Sequence, residues 1–352
     1  MVYSLADRTL TITTSCGEFA VMEIAPFSDT PQTARGRVVY LDQCHWSTLA
    51  RWACDPGSVT NRDDAAAADK LIEWAHARRI VLPLSSGHVM ETTPLYGEKR
   101  QRLAMTMLQL SRGWHMRNPL LVRQDEIGRV IDNATAGTSR RDRPEVFTLD
   151  PDALYATPYS PEPEPTGLPE YLDWLCARLT AVSANFDLLM DPERIAPEKT
   201  SGWCNALDAL ARDAEFQAIP AARRRATAQA QALTDAIADM PVLARIQRSG
   251  LASEDTVNAL LHGLQASTDT MPFLRLYTDA LSVRLLNRAR WEPNDLVDML
   301  YLLCAAAYAD GVAAERTAAR YLDTAWRGRP DPCPVMPTLH ELVAHLTDLG
   351  LE

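Results

Sequence analysis

A chain of 352 residues with 47% hydrophobic residues can bury a large core, which favours one domain with an insertion, or two domains. No segment approaches the roughly 20 apolar residues that cross a bilayer, and the N-terminus lacks a signal pattern, so we predict a cytoplasmic protein without membrane contact. The net charge of −11 disfavours nucleic-acid binding, unless part of it belongs to a metal site.

The first part of the chain has the pattern of a β-hairpin followed by a βαβ unit. Residues 3–25 alternate around Cys16-Gly17, which predicts a hairpin within an N-terminal segment 1–37. The run VVYLD, residues 38–42, is typical of a strand buried on both faces, and residues 80–85 repeat that pattern. Helices predicted over residues 45–54 and 63–79 lie between them. This order indicates parallel strands.

The remainder divides into further segments by composition. Helices at 86–93 and 98–112 complete the first half of a core, 38–131, and the Pro-rich residues 132–169 predict a surface linker. Residues 170–289 are rich in Ala and Leu and predict an all-helical insertion. The second half of the core, 290–352, alternates helices and strands: 294–308, 311–315, 316–327, 334–336 and 338–349. We therefore expect an α/β fold, a parallel sheet flanked by helices, with a helical insertion and an N-terminal hairpin.

Acidic residues stand at comparable places in both halves. Asp42 closes the first buried strand, where it could line a site beyond the strand end or simply cap the next helix. Glu91 lies one or two turns beyond the second strand, and a solvated helix position is its alternative. Asp298 lies in the apolar helix NDLVDMLYLLCAAAY, which predicts a nearly buried carboxylate that needs compensation.

Three more acidic residues accompany these. Glu315 ends the strand GVAAE, as Asp42 ends its own strand. Asp295 favours the helix dipole of the first turn, and Asp310 precedes a tight Asp-Gly turn, so both have structural explanations as well. Hard ions such as Mg²⁺ and Mn²⁺ take oxygen ligands and can activate water for phosphodiester hydrolysis.

The combination of VVYLDQ, SSGHVMET, NDLVDMLYLLCAAAYADGVAAER and PVMPTLHELVAHL resembles the PIN-like nuclease superfamily, over roughly residues 38–115 and 290–349. The resemblance implies a parallel sheet flanked by helices and an Mg²⁺ or Mn²⁺ site for RNA cleavage. It places the catalytic acids at Asp42, Glu91 and Asp298, with Glu315 or Asp310 as the fourth. Asp295 is an additional candidate metal ligand.

The leading hypothesis is thus a metal-dependent endoribonuclease, which could be of toxin or defence type. The alternatives are a catalytically inactive PIN-like interaction protein, with the helical insertion as its docking surface, and a hydrolase of small phosphoesters. His45 and His88 could orient phosphate or water, although local hydrogen bonding is the commoner role. Candidate RNA-binding residues follow Glu91, and a solvated helix face is their alternative: Lys99, Arg100, Arg102 and Arg112.

Overall fold

The computed structural model describes residues 1–27, 34–136, 144–155, 168–191, 193, 201–237, 240–250, 253–265, 270–287, 291–292, 295–327 and 334–352. Within these ranges every helix is too short or too polar to cross a bilayer.

An antiparallel sheet opens the chain. Its strands are β1 (Val2–Ser4), β2 (Thr9–Thr13) and β3 (Phe19–Glu23), with β2 in the middle. Leu10 and Met22 form one cross-strand pair and are buried, as expected for strands with one face on a core. The predicted hairpin is confirmed, with Gly17 in the left-handed region at φ +90° in its turn. The strand β1 is an addition to the prediction.

The predicted parallel sheet is also confirmed. In the described part of the chain its strands are β4 (Arg37–Leu41), β5 (Ile80–Val81), β8 (Gly311–Ala313) and β9 (Val335–Met336), and β6 (His115–Met116) and β7 (Phe147–Thr148) form a separate pair. The order across the parallel sheet is β5-β4-β8-β9. Strand β4 therefore pairs with β5 on one side and with β8, from the far end of the chain, on the other.

The second strand is shorter than predicted. The sequence predicts a strand over residues 80–85, but regular pairing ends at Val81. Pro83 follows closely and has no backbone N–H to donate. Leu84 then forms a parallel bridge to His115, since its N–H donates to Trp114 O at 2.9 Å and its carbonyl accepts from Met116 N at 2.6 Å. This bridge joins β6 to the edge of the parallel sheet.

Helices cover both faces of the sheet. In the first half of the chain they are α1 (Gln43–Cys54), α2 (Arg62–His76), α3 (Ser86–Thr92), α4 (Gly97–Ser111), α5 (Pro119–Ala136) and α6 (Glu170–Met190). In the second half they are α7 (Ser201–Arg212), α8 (Ala214–Ala218), α9 (Ala221–Ile237), α10 (Met240–Ser249), α11 (Ser253–Gln265), α12 (Pro272–Leu286), α13 (Asp295–Tyr308), α14 (Arg316–Trp326) and α15 (Leu339–Asp348). Short 3-10 helices occur at Pro56–Ser58 and Pro151–Leu154.

The alternation of side chains along β4 separates two hydrophobic cores. Val39 and Leu41 belong to a core that includes residues of α1, α2, α4 and α15 and the N-terminal sheet. Tyr40 belongs to a second core, which it shares with residues of α5, α12, α13 and α14. Successive strand residues point to opposite faces, so a strand packed on both sides must be apolar throughout. This explains why VVYL reads as an uninterrupted apolar run.

The predicted Pro-rich linker is wrong for its described residues. Helix α5 continues to Ala136, and residues 144–155 contain β7, which pairs with β6. Val146 and Leu149 are buried against the rest of the molecule. The high Pro and Asp content of this segment is typical of a linker, so the sequence pattern did not reveal its short apolar stretch. Residues 137–143 and 156–167 of the predicted linker lie outside the described residues.

A buried carboxylate, which the sequence pattern does not reveal, anchors the first turn of α12. Glu126 on α5 accepts hydrogen bonds from the N–H groups of Phe273 and Leu274, each at 2.9 Å, and from the hydroxyl of Tyr308. It thereby satisfies N–H groups that a helix start leaves without intrahelical partners. Burial raises the pKa of Glu126 to about 7 even though these three donors oppose the shift.

Replacing Glu126 tests this anchor. Glu126→Gln turns one acceptor into a donor that faces an N–H group, so the free energy of unfolding should fall by about 1–3 kcal/mol. A folded pKa of about 7, above the ordinary carboxyl value, means that the parent loses stability as pH rises towards 7. The difference between parent and variant should therefore be larger at pH 5 than at pH 8 in urea denaturation.

Glu254→Gln provides the control, because Glu254 is exposed on α11. It should change the free energy of unfolding by less than about 0.5 kcal/mol. Equal stability of the parent and the Glu126→Gln variant would contradict the proposed anchor.

Candidate active site

Asp42 connects the ends of the two central strands. It follows β4 and caps α1, with Oδ1 accepting from Gln43 N at 2.8 Å. Its Oδ2 accepts from Glu315 N at 3.3 Å, across the sheet. Both roles left open by the sequence are therefore present, since the residue caps a helix and also stands at the strand ends. Two backbone donors fix the orientation of this carboxylate.

Glu315 occupies the matching place after β8. It is the N-cap residue of α14, where its side chain makes no capping hydrogen bond, and it is exposed. From β4 the chain proceeds to β5 on one side, and it later returns to add β8 and β9 on the other. Ligands of open α/β sheets gather beyond the strand ends at such a switch point. Asp42 and Glu315 thus lie at the expected position of a site.

Glu91 lies on α3 and faces the same carboxyl ends of the strands. It is half-buried, and no hydrogen bond or ion pair joins its side chain to the described residues. The pKa of its carboxyl is raised to about 8, first by burial and then by the negative charges of Asp42, Asp298 and Glu315. Acidic residues from four separate elements therefore lie within electrostatic range of one another.

Asp298 joins this group from α13, although its predicted burial is wrong. The residue is exposed, because it stands in the wall of a cavity rather than against the helix packing. The pKa of its carboxyl is raised to about 7 by desolvation and then by Asp42, Asp295 and Glu315, while Arg284 opposes the shift. Its repulsion by Asp42 and Glu315 places it on the same side of the sheet.

These carboxylates form a region of uncompensated negative charge. We name Asp42, Glu91, Asp298 and Glu315 the acidic cluster. Among the described residues no three acidic, His or Cys side chains stand close enough to hold a metal ion in common. The donor set nevertheless consists of carboxylate oxygens, the ligands that Mg²⁺ and Mn²⁺ prefer. A divalent cation would relieve the repulsion that raises the pKa values of Glu91 and Asp298.

Asp310 does not belong to this edge, so its assignment as a metal ligand is wrong. It precedes β8, and its carboxylate accepts from Arg37 Nη1 at 2.9 Å and from Val38 N at 2.8 Å. Both partners begin β4, whereas Asp42 follows its end. A strand residue rises about 3.3 Å along a parallel sheet, so the length of β4 separates the two acids. Asp310 instead joins the starts of two strands.

Asp295 is engaged in structural contacts. Its Oδ2 accepts from the Arg284 guanidinium and from Glu292 N at 2.6 Å, which closes the turn that leads into α13. A carboxylate paired with a guanidinium is less free to bind a metal than one without a partner. We therefore do not place Asp295 in the acidic cluster, although its charge acts on Asp298.

His88 has a structural role next to the acidic cluster. It is buried, and its Nε2 hydrogen-bonds with Leu41 O at 2.7 Å while its Nδ1 accepts from Ser85 N at 3.1 Å. Its ring also stacks on Tyr40. Burial lowers the pKa of His88 to about 4, so the imidazole is neutral at pH 7. The contacts are those of a positioning residue that ties α3 to the end of β4, rather than those of a phosphate ligand.

His45 is likewise buried, beside Asp42. Its Nε2 has no hydrogen-bond partner among the described residues. Burial lowers the pKa of His45, although Asp42 and Glu315 oppose the shift. The imidazole therefore fills the space beneath the acidic cluster in its neutral form.

The proposed RNA-binding role of Arg100 is wrong. Arg100 is buried, and its guanidinium donates only to backbone carbonyls. The acceptors lie before α4 and at or just beyond the end of α6: Thr93, Leu188, Leu189 and Glu193. Free carbonyls at a helix end need such donors. The sequence could not show this, since α6 begins about 70 residues further on.

The other three basic residues differ in exposure. Arg112 is half-buried and pairs with Glu23 at 3.0 Å, which makes it a link between α4 and β3. Lys99 and Arg102 are exposed, and Arg102 also pairs with Glu98. Together with Arg51 of α1 they line a surface groove of about 520 Å³. The same groove is also lined by Asp55 and Glu98, so the excess of positive charge there is smaller than predicted.

Sequence reasoning missed the polar contacts that hold the acid-bearing elements together. Gln43, next to Asp42, donates to Thr92 Oγ1 at 2.9 Å, next to Glu91. Ser86 of α3 hydrogen-bonds with the hydroxyl of Tyr301, one turn beyond Asp298. Each of these residues is a near neighbour of a candidate acid, which was the only signal available. The contacts fix α1, α3 and α13 relative to one another.

Comparisons with family models, with curated proteins and with solved structures find no match for this chain. The interpretation of the site therefore rests on its own chemistry: the strand ends, the acidic cluster and the contacts beneath it.

The raised pKa of Glu91 has a measurable consequence. A folded pKa of about 8, well above the ordinary carboxyl value, means that stability is greatest at acid pH and is lost as pH rises towards 8. Glu91→Gln removes this titration. Its unfolding temperature should exceed that of the parent at pH 8, with a smaller difference at pH 4.5, as measured by calorimetry. Parallel pH profiles for the two proteins would show that Glu91 carries no such repulsion.

Proposed function

We propose that this protein is a metal-dependent endoribonuclease with a PIN-like core. The observation that carries the proposal is the placement of Asp42, Glu91, Asp298 and Glu315 within electrostatic range of one another at the switch point of a parallel sheet, from which a bound cation would have to draw them closer together. These residues are separated by up to 273 positions along the chain, the separation of the hydrogen-bonded pair Asp42 and Glu315. Uncompensated acids that destabilise a fold at neutral pH are typical of functional sites.

The acidic cluster would hold Mg²⁺ or Mn²⁺. Such an ion stabilises charge on a phosphate and lowers the pKa of a bound water. Asp42 is oriented by the N–H groups of Gln43 and Glu315. Glu91 and Asp298, with pKa values of about 8 and 7, exist partly as acids at neutral pH. Either one could therefore give up a proton as the ion binds.

RNA is the substrate that the surroundings of the site support best. The groove with Arg51, Lys99 and Arg102 lies along the C-terminal half of α1, the helix whose N-terminus Asp42 caps. A polynucleotide backbone could follow this groove towards the strand ends. Part of the net charge of −11 belongs to the acidic cluster, which a cation would neutralise. A cytoplasmic location and a protein partner docked on residues 170–289 are further parts of the proposal.

A second candidate is a hydrolase of small phosphoesters. It is favoured because Arg100 and Arg112 make structural contacts and do not contribute to a basic surface. A small substrate needs no extended cationic groove. Cleavage rates with Mn²⁺ separate the two activities. A nuclease should act on an oligoribonucleotide with a higher kcat/KM than on a mononucleotide or p-nitrophenyl phosphate, and the reverse ranking would favour the second candidate.

Substitutions in the acidic cluster test the nuclease directly. Asp42→Asn and Asp298→Asn should each lower Mn²⁺-dependent cleavage of a fluorescent oligoribonucleotide by at least about 100-fold, since a metal site supplies several kcal/mol of transition-state stabilisation. Thermal unfolding should show that both variants remain folded at the assay temperature.

Asp310→Asn is the matched control, because Asp310 lies at the opposite ends of the same strands. It should unfold at a lower temperature than the parent yet retain cleavage within about threefold, well below the roughly 100-fold loss expected at the site. Cleavage by Asp42→Asn at the parental rate would refute the proposed function.

A further inference from the structure

A cavity of about 370 Å³ opens directly beside the acidic cluster. Its walls come from the C-terminal end of α12 and the first halves of α13 and α14. The lining residues recur at helical spacing, with Asp298, Met299 and Leu302 on α13 and Ala318 and Tyr321 on α14. The volume falls within the range of about 300–1,000 Å³ that is usual for small-molecule sites. Asp298 and Glu315 form the side of the cavity nearest the strand ends.

The floor of this cavity is apolar. Met299, Leu302, Leu303 and Leu322 are each at most 5% exposed, and they line it from two helices. The hydroxyl of Tyr321 is already hydrogen-bonded to Ala280 O, so its ring rather than its polar end is offered to a ligand. A flat aromatic ligand could bury its faces here, whereas a charged group would lose its hydration.

The rim of the cavity is acidic and polar. Glu292 and Asp298 make no side-chain hydrogen bond or ion pair with the described residues, and Asn287 and Thr317 are exposed beside them. The cation in the lining, Arg284, pairs with Asp295 and stacks on Trp291 at 4.1 Å. The free groups at the rim are thus mainly hydrogen-bond acceptors. Such a rim attracts a neutral ligand with N–H donors, and it repels phosphate unless a cation lies between them.

We propose that this cavity binds a nucleobase that carries an exocyclic amino group (cytosine, adenine or guanine, but not uracil) from a nucleotide beside the scissile phosphate. This inference rests on the proposed nuclease function and names the part of the substrate that the site recognises. The base faces lie against Met299, Leu302 and Tyr321. The amino group donates to the carboxylate of Glu292, as carboxylates accept from amino groups of bases elsewhere.

The proposal restricts the class of RNA. A base can enter a cavity between helices only if it leaves its stack, which is easiest in single strands, loops and bulges. The neighbouring phosphate then lies towards Asp298 and Glu315, at the mouth of the cavity. The base positions the chain for cleavage, and Glu292 acts as a specificity-determining residue.

Nucleoside binding tests this without cleavage and without metal. The full-length protein is titrated with cytidine, adenosine and uridine in EDTA, and binding is followed by calorimetry or by ligand NMR. Cytidine and adenosine should bind saturably and at least about tenfold more tightly than uridine, as expected for one good hydrogen-bonded contact. Glu292→Ala removes the acceptor and should reduce this preference to less than about threefold while the fold is retained.

A pair of matched variants locates the binding. Ala318→Phe fills the cavity and should abolish nucleoside binding, whereas Thr324→Phe adds the same ring at an exposed position of α14 outside the cavity and should leave binding unchanged. Circular dichroism and thermal unfolding confirm that both variants fold. The inference is overturned if the parent binds none of the three nucleosides, if it does not discriminate against uridine, or if Ala318→Phe binds them as well as Thr324→Phe.

The two proposals fail in different ways. Saturable cytidine binding by a protein that cleaves no RNA supports the nucleobase site and refutes only the nuclease. Cleavage that depends on Asp42, by a protein that binds no nucleoside, refutes only the nucleobase site. With oligoribonucleotides that vary one unpaired base beside the cut, the active protein should favour cytosine or adenine over uracil by about tenfold.

Discussion

The accumulation of negative charge at the ends of β4 and β8 is the constraint on which the rest of the structure depends. Desolvation and repulsion together raise the pKa values of Glu91 and Asp298 to about 8 and 7, so these carboxylates destabilise the fold at neutral pH. Hydrogen bonds between non-acidic residues hold the acid-bearing elements in place, among them those of His88 with Leu41 and of Ser86 with Tyr301. A protein that only needed a stable sheet could use neutral residues there.

The helical segment, residues 170–289, contacts the elements that carry the acidic cluster. Glu126 anchors the start of α12, and α12 packs against α13 and α14, the helices that carry or follow Asp298 and Glu315. The end of α12 contributes Arg284 and Asn287 to the cavity. Helix α12 therefore shapes the space where a substrate would lie. This arrangement explains why a large helical segment interrupts the α/β pattern.

Local patterns in the sequence predicted the elements, and contacts between distant segments explain what they missed. The apolar run VVYL predicted β4, and the Ala and Leu content of residues 170–289 predicted helices there, of which α6 (Glu170–Met190) is the first. The sequence also placed acids after β4 and β8. It could not show that Arg100 caps α6, that Asp310 pairs with Arg37, or that Asp298 borders a cavity, because each depends on residues far away in the chain.

Calorimetric titration with Mn²⁺ at pH 7, repeated in buffers of different ionisation enthalpy, tests most directly whether the acidic cluster binds a divalent cation. The account predicts one saturable site per chain and a release of protons on binding, because the pKa values of Glu91 and Asp298 lie near or above the working pH. Asp42→Asn should remove both signals. Absence of saturable binding, or a titration that Asp42→Asn leaves unchanged, would show that these carboxylates do not hold a cation together.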